Sequence, residues 1–399
     1  MMKLAAALAE AGYGVSIINP IYVERVYEAD LRFLADPRWR SAPVKMVRRF
    51  QPWTYYRTGV RLRLARRLLM RGDLAGRSLV SLGRGYTRAF DELLKRALAQ
   101  PADLYLGGTA GGLEVAARAA ELRGVPYALD LEDFHSAEQD PSPEADLLHA
   151  IIAEQERRLL PRAAFVTGGS EPISQAYFDT YRVRVETIHN TFPLPTTSPT
   201  FNSRSNQKLR LFWFSQVIGL RRGLQDAILA MGRANVPGEL HLLGHALDTS
   251  IGALLELARS WAPMLTLVHH QPVEPSVIPT IAQRFDVGLS LEPGFSRNNE
   301  IALSNKSFVY LLAGLAVAFT DTIGQRTLAR DIGRDALLFK PGDIDLFAHG
   351  LRHWAENPAA LLAAKQAAWN AAARRWHWEH PEERGKALAL VRRALGENT

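Results

Sequence analysis

At 399 residues, with 47% apolar and 22% charged side chains, the chain is long enough for two domains and too apolar to be disordered. It has no cysteine, which excludes disulfides and thiolate metal sites, and no apolar run approaches the roughly 20 residues of a membrane-spanning helix. The net charge of +7 is concentrated: residues 37–72 carry 11 Lys or Arg and no acid, leaving 37 basic against 41 acidic residues elsewhere, unlike a uniformly basic nucleic-acid binder.

Residues 2–12 read as a helix rather than a signal core, because the apolar start leads into Glu10, Gly12 and a strand, Val15–Ile18. The basic segment follows. From Val60 to Met70 a helical stripe of Val60, Leu64 and Leu68, with Ala65 and Leu69, is flanked by arginines. That suits an anionic membrane surface. The aromatics Trp39, Phe50, Trp53, Tyr55 and Tyr56 would also suit single-stranded nucleic acid, and a helix packed on a sheet is the ordinary alternative. Residues 86–99 read as a helix, Asp103–Leu106 as a strand, Leu113–Arg123 as a helix and Pro126–Leu129 as a strand. Then come an amphipathic helix over 144–160, strand Ala164–Thr167, helix Glu171–Tyr181 and strand Val185–Ile188. Such alternation predicts a parallel sheet with helices on both faces.

A polar stretch from Pro193 to Gln207 without periodicity marks a domain boundary. The strand–helix rhythm then restarts: strand Leu209–Phe214, helix Gly223–Arg233, strand Glu239–Leu243, helix Ile251–Ser260, strand Leu265–Val268 and helix Ile278–Arg284. Val287–Leu291 reads as a strand, Glu292–Leu303 as a polar loop, and Asn305–Gly314 as a short helix with a glycine stop, followed by a buried strand from Leu315 to Thr320. Ser304 or Asn305 can cap that helix. Phe308, Leu311 and Leu312 share its buried face, and Gly314 suits the left-handed residue that ends it. The junction places free N–H groups, an amide and the Lys306 ammonium at the carboxyl edge of a parallel sheet, where anionic ligands bind. Residues 358–374 and 381–395 read as helices.

The segment Asn305-Lys-x-x-x-Tyr-Leu-x-Ala-Gly314-x-x-Val resembles the donor-site segment of sugar-nucleotide-dependent glycosyltransferases of the GT-B architecture, in particular retaining family 4. The resemblance implies an α/β fold of two Rossmann-like domains facing a cleft: an acceptor-side domain over 1–195, a nucleotide-sugar domain over 207–356, and helices over 357–399 that cross back to the first domain. It implies a nucleoside-diphosphate sugar as donor substrate, no bound cofactor and no metal. It also implies transfer to a glycan, lipid-linked or small acceptor, as in cell-surface polysaccharide synthesis in the cytoplasm or on the inner face of a membrane. A non-catalytic binding protein and an epimerase on the same fold are the alternatives.

Ser215–Gly223 resembles the family's diphosphate loop, with Gln216 at the usual arginine position and Arg222 and Gly223 in place of Lys-Gly. Together with Ser304, Asn305, Lys306 and Glu300, these are the expected donor-binding residues. Relatives carry two glutamates seven residues apart; here Val309 stands at the second position, the usual ribose contact, and Glu300 lies one residue from the first. Asp130-Leu-Glu-Asp-Phe-His135 occupies the place of an acidic or histidine cluster near the reacting sugar. Glu132, Asp133 and His135 are the catalytic candidates, with Asp133 and His135 on one side if the segment is extended. Ser170 is expected to cap a helix and Asn190 to mark a turn. His241, His245, His269 and His270 lack a metal-binding spacing. Family members open with a strand and a Gly-rich loop, whereas this chain begins in the following helix, so the first strand of that sheet is expected to be missing.

Overall fold

The computed structural model describes residues 2–24, 27–138, 142–201, 208–246 and 248–397. The chain divides into two compact units: residues up to His189 together with those from Arg384 on, and Asn190–Glu383. The division falls just ahead of the polar stretch 193–207, of which residues 202–207 lie outside the described residues.

Among the described residues, the first unit holds three parallel sheets. Strand β1 (Val15–Ile17) pairs with β3 (Trp39–Ser41), and β2 (Pro20–Ile21) pairs with β4 (Val44–Lys45). Strands β5 (Tyr105–Gly108), β6 (Tyr127–Asp130), β7 (Val166–Gly168) and β8 (Glu186–Thr187) form a four-stranded sheet in that order. Among the described residues, β1 pairs only with β3 and β5 only with β6. The helix Thr109–Arg123 is alanine-rich, so it lies close on its sheet through Leu113, Ala116, Ala119 and Ala120 and ends at Gly124. Helix Pro143–Leu159 is capped by Ser142, whose Oγ accepts from Ala145 N at 3.1 Å. The last helix, Lys386–Ala394, belongs to this unit; just ahead of it Arg384 donates to Glu10 at 2.9 Å.

The basic segment folds mainly as one helix, Pro52–Leu69, whose two sides differ. Leu69 is buried, packed with Leu82 and Ile151. Arg61 pairs with Asp91 at 3.0 Å and with Glu92, Arg57 reaches Glu92 at 2.9 Å, and Arg66 reaches Glu144 at 2.7 Å. These cations are thus matched by acids of the same unit. Trp53, 89% exposed, heads a ridge with Tyr56, Val60, Leu64 and Leu68 that faces water. Of the expected stripe, Leu69 therefore lies on the inner side and does not join Val60, Leu64 and Leu68.

The second unit contains one six-stranded parallel sheet in the order β11-β10-β9-β12-β13-β14. Its strands are β9 (Leu209–Ile218), β10 (Gly238–Ala246), β11 (Leu265–His270), β12 (Val287–Ser290), β13 (Ala316–Thr320) and β14 (Leu337–Phe339). The chain starts in the middle at β9, builds outward to β11, then returns to the other side of β9 with β12. Every residue of β12 and β13 is buried, as expected where helices cover both faces of a parallel sheet. The reversal of direction between β9 and β12 makes a switch point at their carboxyl ends, the usual ligand position in such sheets.

Candidate functional site

Both loops expected to hold the donor lie at that switch point. On one side, β9 leads through residues 219–223 into helix Leu224–Ala234. Gly223 has φ +74°, and a Cβ on it would stand 2.8 Å from Leu291 Cβ. Only glycine combines that conformation with so close an approach, and it sets the Arg222 loop against the end of β12. Arg222 is exposed, with its guanidinium free to meet a ligand, while Arg221 lies 5.8 Å over the Phe295 ring.

On the other side, β12 runs through Glu292 and the short helix Arg297–Ile301 to helix Asn305–Leu312. Lys306 Nζ donates to Glu292 Oε1 at 3.1 Å and to Ser304 Oγ at 3.3 Å. Glu292 also accepts from Asn299 Nδ2 at 2.8 Å. Burial alone would push the Glu292 pKa up, but the Lys306 charge and the hydrogen bonds from Ser304, Lys306 and Asn299 outweigh it and hold it below the ordinary value. Lys306 also sits 5.8 Å from the Trp213 ring, whose Nε1 is buried without a partner. A cation is therefore fixed in the first turn of a helix, beside backbone N–H groups with no intrahelical acceptor.

The helix ends as expected: Gly314 has φ +66°, Gly314 N donates to Leu311 O at 3.0 Å and Leu315 N to Tyr310 O at 3.0 Å. Beneath the site a buried polar web fixes the strand ends. Ser290 Oγ shares a hydrogen bond with Ser307 Oγ at 2.7 Å, and Gln325 Nε2 donates to Ser290 O at 3.1 Å and to Thr320 Oγ1 at 2.8 Å.

Two expectations for this side need correction. Strand β9 continues to Ile218, so Gln216 lies within a strand paired to β10, not in a phosphate loop. An irregularity at Leu243/His245 accommodates the extension. Ser304 occupies the cap position, yet its side chain makes no capping bond; it meets Lys306 instead, and Asn305 is the exposed first residue of the helix. Glu300 accepts from Ile323 N at 3.2 Å, bracing the loop after β13. Val309 is buried in the apolar core around Leu312 and Leu328. His241 and His270 share a hydrogen bond at 2.9 Å, and His241 also meets Glu239 at 3.2 Å, a pairing across β10 and β11 that spacing did not reveal.

In the first unit, the candidates leave β6 in a tight turn. Asp130 accepts from Thr167 Oγ1 at 2.7 Å. Glu132 has φ +52°, uncommon for a residue with a side chain, and Gly169 N donates to its carbonyl at 3.2 Å. Burial, then the nearby Asp130 charge, raises the Glu132 pKa. His135 begins a 3-10 turn, so Asp133 and His135 are not on one side of an extended segment. The His135 ring is buried: Nδ1 faces Glu138 Oε2 at 3.2 Å, and Nε2 is left without a partner. Burial depresses its pKa, but the hydrogen bond to Glu138 and the charges of Glu156, Glu138 and Asp133 prevail, so the net shift is upward.

Spacing also missed what holds this turn. Tyr177 OH donates to Glu156 Oε1 at 2.8 Å and accepts from His135 N at 3.2 Å; Tyr181 OH donates to Glu156 Oε2 at 2.7 Å. Glu156 is fully buried, and burial raises its pKa despite the two phenols. The four-residue spacing of the tyrosines on helix Glu171–Tyr181 was the available signal. Ser170 caps that helix, accepting from Ile173 N at 3.2 Å.

No protein-family profile matches the sequence, and no curated protein does. Solved structures do. Sucrose-phosphate synthase from Thermosynechococcus elongatus aligns over 98% of this chain and 90% of its own, with TM-score 0.65 and 14% identity. Anabaena HepE, in complex with UDP and glucose, aligns over 99% and 95%, with TM-score 0.64 and 16% identity. A glycosyltransferase from Rickettsia africae aligns over 100% and 94%, with TM-score 0.67 and 9% identity. With its two Rossmann-like units and these likenesses along its whole length, the chain has the GT-B glycosyltransferase fold.

Proposed function

We propose that the chain is a glycosyltransferase that moves a sugar from a nucleoside-diphosphate sugar to a hydroxyl of a glycan, lipid-linked or small acceptor, with retention. The carrying observation is Lys306, held by Glu292 and Ser304 in the first turn of a helix at the switch point of the six-stranded sheet. HepE, a structure of the same fold, is in complex with UDP. In this reading the donor's C1–O bond to phosphate breaks as a bond forms from C1 to the acceptor oxygen. The Lys306 ammonium, the Arg222 guanidinium and the helix N–H groups stabilise the departing diphosphate. The acceptor's proton passes to the leaving phosphate or to a carboxylate, for which Glu132 and Asp133 are the candidates, and His135 Nε2 is available to a sugar hydroxyl.

A sugar-nucleotide panel with product detection tests this reading. Turnover with one donor is the expected result; tight binding with neither transfer nor release of free sugar would establish the non-catalytic alternative, which the core position of Val309 favours. Arg222→Ala should weaken UDP binding roughly 10- to 100-fold in calorimetry, as for a charged hydrogen bond of about 1.5–3 kcal/mol. Unchanged affinity would remove Arg222 from the site.

The acceptor side of the proposal includes an anionic membrane surface on the inner face of the cell, met by helix Pro52–Leu69. Its outward ridge of Trp53, Leu64 and Leu68 lies beside the exposed Arg63 and Arg67, the arrangement an interfacial helix requires. Because Arg61 and Arg66 are engaged by acids of their own unit, Arg63→Gln/Arg67→Gln isolates the outer charge without unpairing Asp91 or Glu144. Wild-type protein should sediment with phosphatidylserine vesicles in low salt. The double variant should lose on the order of 1 kcal/mol per charge, and Trp53→Ser/Leu64→Ser should lose more. Equal sedimentation of all three would leave the ridge an ordinary exposed helix.

A further inference from the structure

The bond between Tyr177 OH and Glu156 Oε1 at 2.8 Å can run either way, because a neutral carboxyl donates and a carboxylate only accepts. The phenol meets two further groups: Asp133 O lies 3.0 Å away, and His135 N donates to the phenol oxygen at 3.2 Å. A phenol has a single proton to give. While Glu156 is a carboxylate, Glu156 Oε1 and Asp133 O are both acceptors, and Tyr177 can serve one and not the other. Once Glu156 is the neutral acid, its O–H donates to the phenol oxygen and the Tyr177 proton is released to Asp133 O. All three contacts are then hydrogen bonds, as buried polar groups require. The surroundings favour that state. Glu156 is fully buried, and burial pushes its carboxyl toward the neutral form. The ionisable groups that face it are Tyr177, Tyr181, His135 and, from helix Leu79–Tyr86, Tyr86. Of these, a protonated His135 is the charge that favours the carboxylate, and that ring has its own acid in Glu138 at 3.2 Å. Tyr181 and Ser136 can donate to the acid's carbonyl oxygen as readily as to a carboxylate.

We propose that Tyr177 is a positioning residue of the transfer site: backed by a proton on Glu156, it clamps the turn after β6 at Asp133 O and His135 N. The inference deepens the function proposed above and rests on that reading where it assigns Asp133 and His135 to catalysis. The turn has little else of its own to hold it. Residues 131–134 lie in no helix or strand, and Glu132 sits at φ +52°. The clamp comes from a firmer element, helix Glu171–Tyr181, capped by Ser170. The Tyr177 ring is fully buried and packs edge-on against Phe134, with centroids 4.9 Å apart. Within the turn its hydroxyl bonds to backbone atoms, so it acts through the residues it holds and not on a substrate. A shift of about 1 Å in a reacting group costs on the order of 100-fold in rate, so the hold on this turn sets kcat.

Asp133–Phe134 is the sole Asp-Phe step in the chain, so protein carrying carbon-13 carbonyl aspartate and nitrogen-15 phenylalanine shows one signal for the Asp133 carbonyl. At about pH 6 that shift in the wild type should match Glu156→Gln, whose amide N–H donates to the phenol in place of the acid. It should differ from Tyr177→Phe, which loses the hydroxyl and keeps the ring packing. A wild-type shift equal to that of Tyr177→Phe overturns the proposal. The infrared difference between wild type and Glu156→Gln needs no change at Tyr177. It should show the carbonyl stretch of one protonated carboxyl, and carboxylate bands in its place overturn the proposal. In the transfer assay Tyr177→Phe should lower kcat at least about tenfold with the donor KM within about twofold, while Glu156→Gln should lower kcat less than about threefold. Equal losses of kcat in the two variants, or a loss in Tyr177→Phe confined to KM, overturn it. A wild type that binds UDP and transfers no sugar overturns the function proposed above, and the carbonyl shift and infrared band then decide the clamp on their own.

Discussion

Lys306→Ala should produce two losses at once. Affinity for UDP should fall roughly 10- to 100-fold, the effect of removing a charged hydrogen bond of about 1.5–3 kcal/mol. The protein should also become less stable, because the part-buried Glu292 would be left without its cation. The pH dependence separates these effects. In the wild type the Glu292 pKa is held below its unfolded value, so its contribution to stability is present above the unfolded pKa, about 4.3, and is lost as pH falls through the lower folded value. In Lys306→Ala burial should dominate instead and raise that pKa, so the variant should regain stability toward acid rather than lose it. Lys306→Ala/Glu292→Gln should recover most of the stability but not the affinity. Urea titrations at about pH 3, 4.5 and 7.5, with calorimetry on the folded variants, measure all three. A double variant that binds UDP like the wild type would place the diphosphate elsewhere.

Glu114→Gln should stabilise the protein near pH 8. Glu114 lies on the buried face of helix Thr109–Arg123, 2% exposed, with Oε2 lacking a partner, and burial pushes its pKa up to about 8. Between the unfolded value near 4.3 and about 8, the unfolded chain gives up this proton while the folded chain keeps it, so this group makes stability fall as pH rises. At one pKa unit per 1.36 kcal/mol, the cost above pH 8 is on the order of 5 kcal/mol. The amide stays neutral and removes most of it. Thermal midpoints of the two proteins should therefore nearly coincide at pH 5 and separate by several degrees at pH 8. A constant difference across that range would mean that Glu114 is ionised in the folded state.

Both predictions concern residues that sequence reading handled unequally, and the reason is sequence distance. Lys306 was legible because helix start, ammonium and Gly314 stop fall within ten residues, and local structure there is fixed by local chemistry. Its partner Glu292 was not, since a loop of unequal turns and a short helix bring the two together. The β/α rhythm was legible in both halves because buried parallel strands such as Ala316–Thr320 are uninterrupted apolar runs. Gln216 was misplaced for the converse reason: the polar tail of β9 reads as loop, yet ladder pairing to β10 carries it on as strand. The Glu156–Tyr177–Tyr181 web joins two helices, and Glu114 is an acid on a face that alanines dominate. Neither has a periodic signature, because both are set by what lies opposite in the fold.

The left-handed backbone at Glu132 has a consequence for attempts to make this protein more heat-resistant. A residue with a Cβ in that region costs on the order of 1 kcal/mol or more, and glycine relieves it. A library screened only for survival at high temperature would be drawn to Glu132→Gly, which keeps the turn and its carbonyl bond to Gly169 while deleting the carboxylate. Under the mechanism proposed above, in which the Glu132 carboxylate is a candidate proton acceptor, such winners should be robust and poor at transfer. Selection for durability and selection for turnover would pull in opposite directions at this one position, and a directed-evolution campaign should score both from its first round.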